Sequence, residues 1–337
     1  MRKVVLAAVG KLEYQEVPMP ETRYGWVRVR LLRCGICGTD VHNYYKETIF
    51  GKDAYPFNMG HETCGIVDAI GDGVQGLCVG DQVVINPFWT CGACEPCRMG
   101  SNNNCEHRTT IGLMGPSGNS EYTLAPAASV LKTDPNADPT LLAFTEPVAT
   151  VLYALDKLKL DATKDVLITG AGPIGLIFLQ LLKNAQINSL TVSDILEDKL
   201  NLAKKLGADR IINTAKEEDP RKYDVIIDCT GIAQVAEQQF RKIKFGAQVM
   251  IFGVCPIDST ITLQPFELYN HDVTIYTSYA LNASSFTRAL HLIQSGRIDI
   301  APLLAGVYPV GMLEECIHNI KAGKVNGKIV IDTTRME

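Results

Sequence analysis

The stretch Asp165-Val-Leu-Ile-Thr-Gly170-Ala-Gly172-Pro-Ile-Gly175 decides the fold. An apolar run of strand length leads into G-x-G-x-x-G, which opens the apolar helical pattern Ile174–Asn184. Gly170 permits the tight turn, Gly172 lets the backbone approach a pyrophosphate, and Gly175 lets the helix lie against the strand. The helix start, where Pro173 fixes the first turn and Ile174 follows, offers unpaired N–H groups beyond the proline and a positive dipole end. The next strand-like run, Ser189–Asp194, ends on an acid 19 residues past Gly175. A carboxylate there accepts hydrogen bonds from both ribose hydroxyls and repels a 2′-phosphate, so the expected cofactor is NAD rather than NADP. A glycine motif alone is weak evidence. Strand, loop, helix, strand and acid in this order are much stronger.

Outward from that stretch, Glu197–Leu206 reads as an amphipathic helix. Arg210–Asn213, Asp224–Asp228 and Gln248–Phe252 continue the strand series, which predicts a parallel sheet covered on both faces. Gly253 and Val254 follow the last of these, at the strand end where such ligands bind. The first 148 residues differ, with short β-like runs (Trp26–Leu32, Gly65–Ile70, Gln82–Asn86) broken by Gly, Pro and Asn. After Ser284 come helical patterns at Phe286–Ser295 and Gly311–Ala322 and a last strand, Lys328–Asp332. The expected organisation is an α/β chain. A β-rich catalytic domain of residues 1–148 and 285–337 encloses a doubly wound, parallel-sheet NAD-binding domain of residues 149–284.

The bulk numbers agree with an ordinary globular enzyme. Of 337 residues, 46% are hydrophobic, and the net charge is −5 with acids and bases interspersed. No basic stripe points to nucleic acid or an anionic membrane. The opening MRKVVLAAVGKLEYQEV is too short an apolar stretch for a signal peptide, and no run is long enough for a membrane helix, so a cytoplasmic location is expected.

Eleven cysteines are many for such a chain, and four are clustered: Cys91, Cys94, Cys97 and Cys105 fall within fifteen residues, with Gly92 and Gly100 to turn the chain. Four thiolates suit a closed tetrahedral zinc that holds the lobe of residues 88–108 together and does no chemistry. Two disulfides would need an oxidising compartment, for which there is no signal. A nucleic-acid-binding zinc ribbon would want basic neighbours, whereas Glu95, Glu106, Arg98, His107 and Arg108 nearly balance. The isolated Cys34, Cys64, Cys78, Cys229, Cys255 and Cys316 read as inert buried thiols.

A different constellation lies outside the lobe: Cys37-Gly-Thr39-Asp40-Val-His42, then His61-Glu62, then Glu146. Oxidising an alcohol removes a proton from oxygen and a hydride from carbon, and zinc lowers the pKa of an alcohol bound to it. Such an ion needs about three protein ligands and one open position. Cys37, His61 and a carboxylate from Glu62 or Glu146 would supply them. Thr39 has a hydroxyl suited to passing the proton along, His42 can carry it to solvent, and Asp40 is placed to orient a ligand histidine.

These motifs together resemble the zinc-containing medium-chain dehydrogenases/reductases from end to end, and most of all their polyol branch. The shared stretches are GICGTDVH, GHExxG at Gly60–Gly65, the four-cysteine spacing, FTEPVA, and VLITGAGPIGL followed by SD. The resemblance implies a GroES-like lobe around a Rossmann lobe and two zinc ions per subunit, one catalytic and one structural. It makes Cys37 and His61 zinc ligands, with Glu62 able to coordinate directly. Glu146 occupies the position that is cysteine in ordinary alcohol dehydrogenases. The implied substrate is a polyol or polyol phosphate, with threonine or a simple secondary alcohol as alternative, and the implied assembly is a homodimer or homotetramer. One departure matters: animal sorbitol dehydrogenases place an arginine in the region matching Thr277–Tyr279, where this chain has Ser278.

Overall fold

A computed structural model of the chain describes residues 1–48 and 51–337, without the side chain of Lys52. It divides into two compact units, one of Met1–Ala149 with Leu281–Glu337 and one of Thr150–Ala280.

The second unit is a six-stranded parallel sheet. Its spatial order is Arg210–Asn213, Ser189–Asp194, Asp165–Thr169, Tyr223–Asp228, Ile243–Ile251, Thr274–Thr277, so the chain starts in the middle, runs to one edge and returns to build the other. That order places a topological switch beside Asp165–Thr169. The central strands are almost continuous buried apolar runs because helices cover both faces. The helix Pro173–Asn184 follows Gly172 directly, has proline in its first turn, and is buried from Gly175 to Leu182. The helix Glu197–Lys205 buries only Leu200 and Ala203, and carries acids in its first turn and lysines in its last, matching its dipole. The strand expected at Gln248–Phe252 begins earlier, at Ile243, and ends at Ile251. Half-buried Lys244, exposed Phe245 and the positive φ of Gly246, with a register shift opposite Tyr223/Val225, hid its first half.

The first unit is built on a mixed sheet in the order Leu304–Pro309, Lys328–Asp332, Trp26–Gly35, Glu62–Ile70, Gln82–Ile85, Val130–Lys132, with Tyr122–Pro126 also pairing Trp26–Gly35. Alternate residues of Trp26–Gly35 and its partners pack Val27, Val29, Leu31, Val67, Val83 and Ile85 into one core. A second core, with Val4, Leu6, Val41, Ile317 and Ile331, lies where the helices Gly38–Tyr45 and Leu313–Lys321 pack together. The C-terminal strand therefore rejoins the N-terminal sheet, and Val330 pairs with Gly35, which in turn pairs with Glu62. Among the described residues no helix is long and apolar enough to cross a membrane.

Candidate metal centre and dinucleotide site

Among the described residues of the first unit two sets of ligating side chains occur, and they differ in kind. In the first, the sulfurs of Cys91, Cys94, Cys97 and Cys105 all lie within 4.8 Å of one another. Backbone N–H groups point at the sulfurs: Cys91 Sγ accepts from Ala93 at 3.4 Å and Cys94 at 3.3 Å, and Cys105 Sγ from Cys91 at 3.3 Å. Those donors bring the Cys91 thiol down to about 6. Burial and the neighbouring thiols push Cys97 up to about 12. Four sulfurs converging with N–H support fit a closed tetrahedral ion. All eleven cysteines are free thiols, so no disulfide competes for them. Of the isolated ones, Cys34, Cys64 and Cys316 are buried and Cys229 and Cys255 half-buried. Cys78 is exposed, against expectation, because it sits in the polar turn whose N–H is taken by Asp81.

The second set brings together Cys37, His61 and Glu62, with one ligand atom of each within 4.8 Å of the others. Cys37 precedes the helix Gly38–Tyr45, and His61 and Glu62 stand at the start of the strand Glu62–Ile70. Thr39 Oγ1 lies 3.6 Å from Cys37 Sγ, and His42 follows one turn on along the same helix. Asp40 does something other than the expected orientation of the histidine. Its Oδ2 accepts from Cys37 N at 3.0 Å and its Oδ1 from Gly60 N at 3.1 Å, while His61 Nδ1 stays 3.8 Å away. One buried carboxylate thus fixes the backbone under both Cys37 and His61. Glu146, in the first turn of the helix Thr145–Leu155, is buried beside this set without belonging to it. Burial pushes its carboxyl up to about 7, against the pull of His61.

One residue here, Lys328, escaped the sequence reading. Glu62 is 1% exposed, and its Oε1 is bound by the ammonium of Lys328, whose side chain is 11% exposed. Burial works against that ammonium, yet Glu62, Cys37 and Glu146 hold its pKa above the ordinary lysine value. The ladder explains the meeting. Glu62, Gly35 and Val330 are in register, Lys328 shares the face of Val330, and a Cβ on Gly35 would sit 1.9 Å from Glu62 Oε2. Glycine between them leaves the gap that the carboxylate fills. Glu62 Oε2 is itself buried without a hydrogen-bond partner among the described residues. A thiol, an imidazole and an orphaned carboxylate oxygen are a donor set that fits a zinc ion.

In the second unit, Gly170 turns the chain with φ 94° and Gly175 packs against it so closely that a Cβ would lie 1.9 Å from Gly170 O. Gly172 caps the helix without a side chain, and nothing lies within 4 Å of where its Cβ would be. That open cradle beside uncapped N–H groups, with Pro173 and Ile174 opening the helix, fits a pyrophosphate. Asp194 Oδ2 accepts from Ala171 N at 2.7 Å, and Oδ1 from Ile195 N at 2.8 Å and Leu196 N at 3.0 Å. Gly253 N bonds to Asp228 O at 2.8 Å, and Val254 beyond it is 81% exposed.

Residues 23–135 match the model of the alcohol dehydrogenase GroES-like domain and residues 173–295 that of the zinc-binding dehydrogenase. L-threonine 3-dehydrogenase of Pyrococcus furiosus is 32% identical over 94% of this chain and 94% of its own. The chain belongs to the zinc-containing medium-chain alcohol dehydrogenase family. A zinc-binding dehydrogenase from Sinorhizobium meliloti, solved bound to NADP, is similar with a TM-score of 0.90 and 28% identity, covering 98% of each chain. Galactitol-1-phosphate dehydrogenase from Escherichia coli is similar at 0.88 and 26%, covering 98% of this chain and 100% of that one. As a member of this zinc-dependent dehydrogenase family, the protein is an oxidoreductase with zinc and a nicotinamide dinucleotide as cofactors.

Proposed function

We propose that the protein catalyses the reversible oxidation of a secondary hydroxyl of a polyol or polyol phosphate to the ketone, coupled to reduction of NAD. The observation that carries this reading is the contrast between two ligand sets in one chain, one of four sulfurs, which completes a tetrahedral ion, and one of three mixed ligands, which is one short of it. Cys37, His61 and Glu62 would hold the catalytic ion, with Glu146 in reserve beside them, and Cys91, Cys94, Cys97 and Cys105 the structural one. A zinc ion held by Cys37, His61 and Glu62 would supply Lewis acidity that makes a substrate hydroxyl easier to deprotonate. Thr39 Oγ1 receives the hydroxyl proton, and His42, one turn further along the helix, passes it to solvent. Asp40 keeps Cys37 and Gly60 in place while this happens.

Gly170, Gly172, Pro173, Ile174 and Gly175 would hold the pyrophosphate, Asp194 the ribose, and Gly253 and Val254 the nicotinamide half. Glutamate at position 146 and the likeness to galactitol-1-phosphate dehydrogenase support a polyol. The threonine dehydrogenase relative, at 32% identity, favours a second reading in which threonine is the secondary alcohol. Following NADH absorbance against polyols, polyol phosphates, threonine and 2-propanol separates the two. Turnover confined to threonine overturns the polyol reading, and no turnover on any of them overturns both.

We also infer a homo-oligomer. The parallel sheet ends on the edge strand Thr274–Thr277, which carries exposed Ile275 and is flanked in sequence by exposed Phe266, Tyr269 and Tyr279. Light scattering of Ile275→Lys against the wild type tests it, a monomeric wild type being the result against it.

A further inference from the structure

Asp228 ends the strand Tyr223–Asp228, beside the topological switch, and is 0% exposed. One of its carboxylate oxygens, Oδ2, has no partner among the described residues, and burial pushes its carboxyl above the ordinary range despite the donors around it. A protein keeps so costly a group where something depends on it. The other oxygen is at the centre of a small construction. Oδ1 accepts from Thr230 Oγ1 at 2.8 Å and Thr230 N at 3.4 Å, and Thr230 Oγ1 in turn accepts from Ile232 N at 3.2 Å. That chain of bonds pins the turn Cys229–Gly231.

The pinned turn is a wall for both segments read above as dinucleotide contacts. Thr230 Cγ2 is the nearest atom to a Cβ built on Gly170, at 3.2 Å. On the other side, a Cβ on Gly253 would fall 2.2 Å from Gly231 N, and one on Gly231 2.8 Å from Val254 O. The backbone carbonyl of Asp228 also receives Phe252 N at 3.0 Å and Gly253 N at 2.8 Å. Three strand ends therefore meet with almost no slack, and a shift of the turn displaces the Gly170 loop and the Gly253–Val254 segment together.

We propose that Asp228, acting through Thr230, is a positioning residue for dinucleotide binding: it sets the spacing between the pyrophosphate loop and the nicotinamide segment. The proposal rests on the reading of this unit as the NAD site. NADH and ADP-ribose affinities of the whole enzyme, from fluorescence titration and calorimetry, test both. Thr230→Val keeps the methyl that faces Gly170 and removes the hydroxyl bridge. It weakens both ligands about tenfold, the scale of one hydrogen bond to a charged group. Thr230→Ser, which keeps the bridge, stays within about threefold of the wild type. Asp228→Asn weakens both ligands in the same direction. If a folded Thr230→Val binds both ligands as the wild type does, or Thr230→Ser is as weak as Thr230→Val, the proposal is overturned. A wild type that binds neither ligand overturns the NAD reading itself.

Discussion

Lys328 and Glu62 lie 266 positions apart in the sequence and meet as a salt bridge inside the sheet of the first unit. In the proposed reading the pair supports the metal ligand set: Glu62 brings a carboxylate oxygen within 4.8 Å of ligand atoms of Cys37 and His61, and its Oε1 is gripped by Lys328. Removing one partner of a buried pair leaves an uncompensated charge, which costs about 3–5 kcal/mol. Lys328→Met is therefore expected to lose stability of that order in urea unfolding of the metal-free protein, and Lys328→Arg much less. A Lys328→Met loss below about 1 kcal/mol, typical of a solvated pair, would refute the assignment.

Gly35 makes a separate test of the same geometry. Any side chain there would collide with Glu62 Oε2, since even a Cβ would lie 1.9 Å from it. Gly35→Ala must push the carboxylate out of the ligand set. Zinc content measured by mass spectrometry is expected to fall from about two ions per chain toward one, the four-cysteine ion being retained. Full occupancy of both sites in a folded Gly35→Ala protein would show that Glu62 does not hold the ion.

Much of this was legible in the sequence, because local patterns carried it. The glycine motif, the strand–helix alternation and the four-cysteine spacing are all short-range signals. Pairings at long range were not. Nothing in Lys328-Ile-Val-Ile-Asp332 says that its lysine turns inward, and its partner is known only once the C-terminal strand is placed against Trp26–Gly35. Asp40 was read as a partner for a histidine because carboxylates often serve so, whereas its oxygens accept from the backbone N–H groups of Cys37 and Gly60, with His61 Nδ1 3.8 Å from Oδ1. Asp228 carried no signal at all. Its burial depends on three strand ends that are distant in sequence.

The two cysteine sets predict different consequences for one substitution. Cys37→Ser removes a ligand from the mixed set and is expected to abolish turnover while leaving the fold and NADH affinity near those of the wild type. Cys97→Ser opens the closed set, whose loop has few buried apolar residues of its own, and lowers the melting temperature. Thermal melts and NADH titrations of both variants check this, and matching behaviour would dissolve the division of labour.

Acid stability of the second unit has an identifiable source. Lys244 Nζ bridges Asp165 Oδ2 at 2.6 Å and Asp224 Oδ2 at 2.8 Å across three neighbouring strands. The Lys244 hydrogen bond, followed by that of Ser189, brings Asp165 down to about 2. A depressed carboxyl stabilises the fold above its unfolded pKa of about 3.9, and that contribution disappears as pH falls through the folded value. The wild type is thus expected to lose about 1–2 kcal/mol from this group between about pH 4 and pH 2, the pair being partly solvated. Lys244→Met starts lower and declines less steeply over that window in urea unfolding. Parallel declines would assign the acid limb to other carboxyls.

Asp194, proposed above to hold the ribose, is expected to set which dinucleotide is preferred, and its surroundings give the direction of change. Three backbone N–H groups, from Ala171, Ile195 and Leu196, hold its carboxylate at the end of the strand Ser189–Asp194. A charge so fixed cannot swing away from a 2′-phosphate. Asp194→Ala removes the repulsion and two acceptors for the ribose hydroxyls at once, so NADPH binding improves while NADH binding weakens. Together these shift the ratio of the two dissociation constants by about 2 kcal/mol, or about 30-fold, toward NADPH. Asp194→Asn, which keeps an acceptor oxygen but no charge, falls between. Fluorescence titration of the three proteins with both reduced dinucleotides measures it. An unchanged ratio in Asp194→Ala would move the source of discrimination away from this strand end, to residues that do not bear a fixed negative charge.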